Sequence, residues 1–320
     1  IWFVLWGLLW SIYFILDGFD FGLGTMLPFM AKTDAERRIM YNAAGPFWDG
    51  NEVWLITAGG VTFAAFPTAY AVMFSALYAP LVSLLFGRII RAESFGFRNK
   101  VDGARWRKVW ATCHFLGNAV PGFLLGVAFA NLFLGIPIDG DGVYHGNILK
   151  LCNTYGLMGG ILFTAMFCMH GMLWLTVKSA SVMHDRALAT AKAFWPWVTA
   201  VSVIFLIMTY TYTDLFSNYA AMPVLFVLPL GAVACLLASR VMMSLRRVIE
   251  AWACSAGFIG LVTMFGVTGM FPRLIPSSLS PEYSLTILNA ASSPLTNRRR
   301  PRMSHALLMK VSNCCRSDSS

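Results

Sequence analysis

Two carboxylates follow an uncharged apolar run at the start of the chain. Asp17 and Asp20 stand in the segment Asp-Gly-Phe-Asp-Phe-Gly, directly after the run 1–16. A charged side chain inside a membrane helix costs roughly 2.5–3.5 kcal/mol on insertion scales. Residues three apart share a helical face, so both acids would face one neighbour or one water-filled crevice. The alternative is that they lie just past the membrane edge and end the helix, helped by Gly18 and Gly22.

A second pair of acids lies in the segment Gly-Pro-Phe-Trp-Asp-Gly-Asn-Glu-Val-Trp, residues 45–54. Asp49 and Glu52 are again three apart at the start of an apolar run. One interpretation is a capping box, with Asp49 as the cap and Glu52 as its reciprocal partner. The other is that Asp17, Asp20, Asp49 and Glu52 together form a wet acidic entrance that passes protons or cations inward.

The remaining reactive side chains point to no metal chemistry of this chain. His114 and His170 fall in apolar segments, and a pair of this kind could ligate haem, which needs facing axial ligands. No spacing supports that pairing, and such histidines are more often structural or proton carriers. The seven cysteines are scattered and behave as small hydrophobes. Nucleotide-binding and hydrolase motifs are lacking in the sequence.

The composition indicates the elements that must hold these acids. The 320 residues are 58% hydrophobic and 12% charged, with a mean hydropathy of +0.65. Soluble domains carry about 25% charged residues. We therefore predict an all-α polytopic membrane helix bundle. Windows of about 20 apolar residues predict eight spans, near 1–22, 53–69, 71–90, 110–134, 156–178, 195–215, 219–239 and 252–272. The second span, 53–69, is the weakest prediction because it contains Gly59, Gly60 and Pro67, and it could be a re-entrant segment.

Loop charges predict the orientation. Basic residues concentrate in 88–108, 178–192 and 240–247, whereas the alternate loops are poor in them. The positive-inside rule then puts these three basic segments in the cytoplasm, and Ile1 on the outer side of a multi-pass chain. All three aspartates, Asp17, Asp20 and Asp49, then lie toward the cytoplasm. Because the chain opens inside an apolar run, we expect its true N-terminus to lie upstream.

The net charge of +9 does not indicate a nucleic-acid partner. Five of these nine charges come from the tail 297–320, and the rest is the usual cytoplasmic excess of a membrane protein. We therefore expect a lipid bilayer, and no nucleic acid, as the surroundings of the chain.

The motifs together resemble subunit II of the cytochrome bd-type quinol oxidases. The segment Gly-Phe-Asp-Phe-Gly, then Glu-Arg-Arg at 36–38, then the Trp-Asp-Gly-Asn block at 48–51 follow in the family's order. Later segments also match, at 126–131, 135–137, 271–272, 277–278, 284–287 and 289–293. The resemblance covers roughly residues 1–296, and the Trp-Asp-Gly-Asn block is its most specific part.

This resemblance implies a respiratory complex of the bacterial inner membrane that oxidises quinol and reduces dioxygen to water. The haems, two of b type and one of d type, are expected in the partner, subunit I, and none in this chain. Subunit II would stabilise the complex and contribute acids to a proton route from the cytoplasm. Asp20 and Asp49 match that route, with Asp17 nearby. A quinone in a lipid-facing cleft and a small third subunit are further candidate partners.

Two departures from the family pattern bear on these expectations. Gly96 stands where the family usually has an acid, and Glu93 is the nearest substitute. The family continues into a ninth span, whereas residues 297–320 form a basic tail that we interpret as disordered or as the product of a lost reading frame. The rival function is a proton- or cation-coupled secondary transporter, and a third option is a structural partner whose acids only cap helices.

Overall fold

The computed structural model describes residues 1–291, and the predicted basic tail 297–320 lies outside them. Most of the described chain is helical, which agrees with the all-α prediction. The first half of the chain forms α1 (Trp2–Met30), α2 (Asp34–Ala44), α3 (Trp48–Ala65), α4 (Pro67–Ala76), α5 (Tyr78–Phe97) and α6 (Ala104–Leu134).

The second half contains four long helices and several short elements. The long ones are α8 (Thr154–Lys178), α9 (Ser181–Tyr212), α11 (Val227–Ser244) and α12 (Val248–Met270). The short ones are α7 (Ile148–Leu151), α10 (Phe216–Ala221), a 3-10 turn at Pro223–Phe226, β1 (Arg273–Ile275), a 3-10 turn at Pro281–Tyr283, β2 (Leu285–Thr286) and α13 (Ile287–Ala290).

The number of spans differs from the eight predicted. Within the described residues, 6 helices are long and apolar enough to cross a membrane, or 7 if α4 and α5 count as one broken span. These two helices meet at Leu77 with a bend of 82°, so the predicted span 71–90 is not one straight helix. The predicted span 53–69 is also divided, because α3 ends at Ala65 and Pro67 starts α4.

Helix α1 is the centre of the bundle and packs against α3, α6, α8 and α12. It continues to Met30, so the prediction that Asp17 and Asp20 end the helix is wrong. Gly22 has a packing role. A Cβ atom at Gly22 would lie 1.8 Å from the carbonyl oxygen of Phe167 in α8. The α1 and α8 backbones therefore touch where small residues allow it, as is common between membrane helices.

Helix α2 returns the chain into the bundle. Thr33 and Glu36 form a capping box at its start, and its apolar residues pack on α1 and α8. The indole of Trp174 donates to the carbonyl of Ala43 at 3.0 Å. The segment predicted as a cytoplasmic loop therefore forms a helix with one buried face, made by Met40, Tyr41, Ala43 and Ala44. It brings the start of α3 to the middle of α1.

The outer helices and the far end complete the bundle. Only 11% of the most apolar stretch of α9 is buried, and 17% of that of the segment Pro223–Ser244, which contains α11. These two helices therefore present an apolar surface that suits lipid.

At the end of the bundle near Ile1, β1 and β2 form a small antiparallel pair. Ile136 pairs with Ser277 beside it, and this packing closes that end.

Candidate functional site

Two arginines and two acids form a closed ion quartet inside the bundle. Asp17 of α1 accepts from Arg88 at 2.5 Å and from Arg91 at 2.8 Å, both from α5. The same two guanidinium groups also contact Glu52 of α3: Arg88 at 3.0 Å, and Arg91 through a short hydrogen bond. Asp17 and Arg91 are fully buried. Two positive and two negative charges balance, so the quartet is neutral overall.

Aromatic and amide groups enclose this quartet. The Tyr13 hydroxyl accepts from Arg88 at 2.7 Å. The Phe21 ring lies 5.7 Å from the guanidinium carbon of Arg88 and 5.2 Å from that of Arg91, which adds cation–π attraction. Helix α6 contributes Asn118, whose side-chain oxygen lies 3.4 Å from Arg91. Charged groups that are removed from water in this way are stable only because each of them has several partners.

Asp20 lies beside the quartet but is not one of its four charged members, so no arginine is left over to neutralise its charge. One of its oxygens, Oδ2, accepts from the amide of Asn51 at 2.8 Å, and the same amide donates to the carbonyl of Leu16 at 3.0 Å. The other oxygen, Oδ1, is buried with no hydrogen-bond partner in residues 1–291. Since a lone buried carboxylate charge is very costly, Asp20 is the member of the site suited to hold a proton.

The second predicted acid pair is divided between the interior and the surface. Glu52 is 21% exposed and joins the quartet, so its predicted role in a capping box is wrong. Asp49 is exposed in the first turn of α3, which has no side-chain cap. Within residues 1–291, Asp49 forms no ion pair. The structure thus brings Asp17, Asp20 and Glu52 together and leaves Asp49 one helical turn away, at the surface.

Sequence reasoning missed the basic half of this site. The positive-inside pattern places Arg88 and Arg91 in a basic cytoplasmic segment, but α5 runs to Phe97 and buries both. Their spacing of three within an apolar helix was the available signal, because it matches the spacing of Asp17 and Asp20. Glu93, considered as a substitute for an acid at Gly96, is exposed on α5 and lies outside the cluster.

The two intramembrane histidines do not fit haem ligation. His170 uses both ring nitrogens, with Ser255 at 2.9 Å and the carbonyl of Ile15 at 3.1 Å. His114 is hydrogen-bonded to Ser94 at 2.8 Å, and its ring lies 4.5 Å from that of Tyr41. A porphyrin would have to displace these contacts. Among residues 1–291, no group of three or more His, Cys, Asp or Glu could hold a metal ion.

A separate ion pair, between Arg186 and Glu36, lies at the end of α1. Arg186 of α9 donates to the carbonyl of Met30 at 3.1 Å and to the carboxylate of Glu36 through a short hydrogen bond. The hydrogen bond from Arg186, with help from the backbone N–H of Lys32, lowers the pKa of Glu36 below its usual value. These contacts connect α2 to α9 at the side of the bundle that carries the basic segments.

The family profile described as cytochrome bd terminal oxidase subunit II matches residues 1–299. The chain belongs to the cytochrome bd terminal oxidase subunit II family. The resemblance seen in the sequence is therefore confirmed, and the chain is one subunit of a terminal oxidase, which implies a subunit I partner. This membership favours the oxidase interpretation over the transporter.

Two curated relatives and one solved structure agree with this assignment. Cytochrome bd ubiquinol oxidase subunit 2 of Bacillus subtilis is 35% identical over 294 residues, which are 91% of this chain and 86% of the relative. Cytochrome bd-I ubiquinol oxidase subunit 2 of Escherichia coli is 35% identical over 331 residues, covering 92% and 86%. A chain of the bd oxidase from Geobacillus thermodenitrificans has the same fold, with a TM-score of 0.70, 19% identity and coverage of 96% and 91%.

Proposed function

We propose that this subunit II conducts protons toward the oxygen-reducing site of the complex in the bacterial inner membrane. The complex oxidises quinol, reduces dioxygen to water and carries haem b and haem d in subunit I. The route begins at Asp49 on the side of the basic segments, passes beside Glu52, which keeps its ion pairs with Arg88 and Arg91, and reaches Asp20. The basic segments support a cytoplasmic entry and an outward-facing residue 1.

The observation that carries this proposal is the contrast between Asp17 and Asp20. Asp17 is held by two arginines and so stays ionised. Asp20 has a single amide donor and an unpartnered Oδ1. A proton on Oδ1 leaves the site neutral, and its loss leaves one negative charge beside Arg91. Asp20 therefore accepts and releases a proton without disturbing the quartet, as a relay group requires.

An apolar cleft supports a quinone as a further ligand of this chain. A cavity of about 700 Å³ opens between α1, α3, α4, α5 and α6. Its walls are apolar, which suits an isoprenoid tail. Trp10 lines it, and the indole N–H of Trp10 has no hydrogen-bond partner within residues 1–291. This nitrogen is buried, so the Trp10 ring would have to turn toward the cleft to donate to a quinone carbonyl. Trp10→Phe should lower the quinone content of the purified complex.

Substitution of the two aspartates tests the proton route. In the assembled complex, we expect Asp20→Asn and Asp49→Asn to slow oxygen consumption by roughly ten-fold or more, because neither amide accepts a proton. Haem content should stay that of the wild type. Asp141→Asn is a matched control, because Asp141 is an exposed acid in the loop at the opposite end. Unchanged turnover with full haem content would return Asp20 and Asp49 to structural roles.

A further inference from the structure

A small crevice lies beside the end of α1, away from the ion quartet. It has a volume of about 430 Å³ and is formed by the last turn of α1, the start of α2 and the first three turns of α6. Leu27, Pro28 and Phe115 supply its apolar lining, whereas Arg37, Arg107 and Lys108 supply its basic lining, here called the rim.

The rim carries uncompensated positive charge. Asp34, the one acid that lines the crevice, is already paired with the buried Arg98 and lies 3.8 Å from Arg107. Arg107 also contacts Asp102 at 3.0 Å. Within residues 1–291, Arg37 and Lys108 form no ion pair, so two of the cations that line this crevice have no carboxylate partner.

Aromatic residues mark this level of the bundle as the membrane interface. Trp106 and Trp110, on the same turns of α6, pack edge to face at 5.8 Å, and the Trp106 indole donates to the carbonyl of Phe97. Tryptophan favours the headgroup level of a bilayer. Below it, Phe29 is 69% exposed and Leu116 is 48% exposed, so apolar surface continues from the crevice toward the membrane interior.

We propose that this crevice binds an anionic phospholipid of the leaflet that faces the basic segments. The phosphate lies between Arg37 and Lys108, and the acyl chains follow Leu27 and Phe115. Basic pockets between membrane helices recognise anionic headgroups in this way. A zwitterionic lipid gains less, because its own cation opposes the rim charges. This inference is independent of the proton route, since it involves none of the same residues.

A photoreactive phosphatidylglycerol tests the site in the purified complex with its partner subunit. We expect the lipid to label residues 104–116, and the double variant Arg37→Gln/Lys108→Gln to reduce labelling roughly ten- to thirty-fold. Lys100→Gln/Arg105→Gln removes the same two charges from exposed positions outside the crevice, and should stay within about two-fold of the wild type. Lys108→Gln alone, at an exposed position, should lose several-fold and covers the case in which the double variant fails to assemble.

Two further labelling experiments decide whether the bound phosphate belongs to an anionic lipid headgroup or is free inorganic phosphate. Photoreactive phosphatidylcholine with the same acyl chains should label the segment poorly, and excess inorganic phosphate should not compete. Equal labelling by both lipids, competition by free phosphate, or unchanged labelling in the Arg37→Gln/Lys108→Gln variant would each overturn the proposal.

Discussion

Asp17 and Asp20 show how one helical face presents two carboxylates to opposite chemical surroundings. They lie three residues apart, yet Asp17 meets two guanidinium groups and Asp20 meets one amide. The first charge is fixed by its partners. The second is left without a balancing cation of its own. The difference depends on which residue of the neighbouring helices lies at each level, and not on the acids themselves.

This contrast predicts different stabilities for two matched variants. Asp17→Asn should destabilise the complex by about 3–5 kcal/mol, because it leaves Arg88 and Arg91 buried with Glu52 as their one carboxylate. Asp20→Asn should cost much less, since it removes no ion pair. Thermal unfolding of the purified complexes measures both. Equal losses in the two variants would contradict the assignment of the quartet.

The acids of the site were predictable from the sequence, and their partners were not. A carboxylate in an uncharged run stands out, and the spacing of Asp17 and Asp20 fixes their common face. Counting charges for orientation treats every arginine near a span end as a loop residue. Arg88 and Arg91 were misplaced for this reason. The register between α1 and α5 decides their pairing, and this register depends on packing that no local pattern reveals.

At the scale of the helices, close backbone approach positions the site. Gly22 of α1 lies against the backbone of Phe167 and Gly171 in α8, and Gly126 of α6 lies against Gly159 in α8. Membrane helices gain from such contacts because lipid offers no competing hydrophobic drive. Each of the 6 apolar helices long enough to cross a membrane overlaps a predicted span. The ends of α8 and α12 agree closely, whereas α9 begins at Ser181 and not at 195, and α1 ends at Met30 and not at 22. The break at Leu77 was missed because its flanking runs are both apolar.

Two glycine substitutions test this packing. Gly22→Ala would put a methyl carbon 1.8 Å from the carbonyl oxygen of Phe167, and should destabilise the complex by about 1–3 kcal/mol or more. Gly59→Ala in α3 meets no atom within 4 Å and should be neutral or stabilise by up to about 1 kcal/mol. The thermal midpoint of each complex gives the comparison. A tolerated alanine at Gly22 would refute the close α1–α8 contact.

The α2–α9 tie, which is the ion pair between Glu36 and Arg186, should weaken as the pH falls. The pKa of Glu36 is lowered from 4.5, so folding favours its ionised form. The stabilisation is complete above the ordinary pKa and is lost as the pH falls through the lower, folded value. Amide hydrogen exchange of α2, corrected for intrinsic rates, should therefore quicken below about pH 4.5.

Variants provide the control for this pH effect. Glu36→Gln should show fast exchange in α2 already at neutral pH, because the amide lacks the charge that holds Arg186. Glu282→Gln, at an exposed acid of the opposite end, should leave the exchange of α2 unchanged. If Glu36→Gln has no effect on α2 at any pH, the ion pair does not hold these helices together.

At the scale of the whole molecule, the two ends of the bundle differ in charge and in structure. The basic segments, the α2–α9 tie and the crevice share one end, whereas the small sheet and the segment 135–153 lie at the other. Asp49 opens toward the basic end. The proposed proton route therefore crosses about half of the bundle and would be completed by subunit I.

This asymmetry predicts which residues are reachable from outside the cell. Cys152 is exposed in the segment before α8, at the end opposite to the basic segments. In a chain whose Cys314 and Cys315 are replaced by serine, a membrane-impermeant maleimide should label Cys152 in intact cells, and Cys152→Ser should abolish that labelling. A cysteine introduced by Lys100→Cys, in a chain that carries all three serine replacements, should react only after the membrane is opened. The reverse pattern would contradict the predicted orientation.

The distance along the chain between the quartet's partners also has a consequence for biosynthesis. Asp17 precedes Arg88 by 71 residues. At about 5–20 residues per second, the carboxyl group is synthesised several seconds before its arginine. Until then α1 has no cation to offset its buried acid. The helix must wait beside the translocation channel, or enter the bilayer protonated, until α5 arrives and the two insert as a pair.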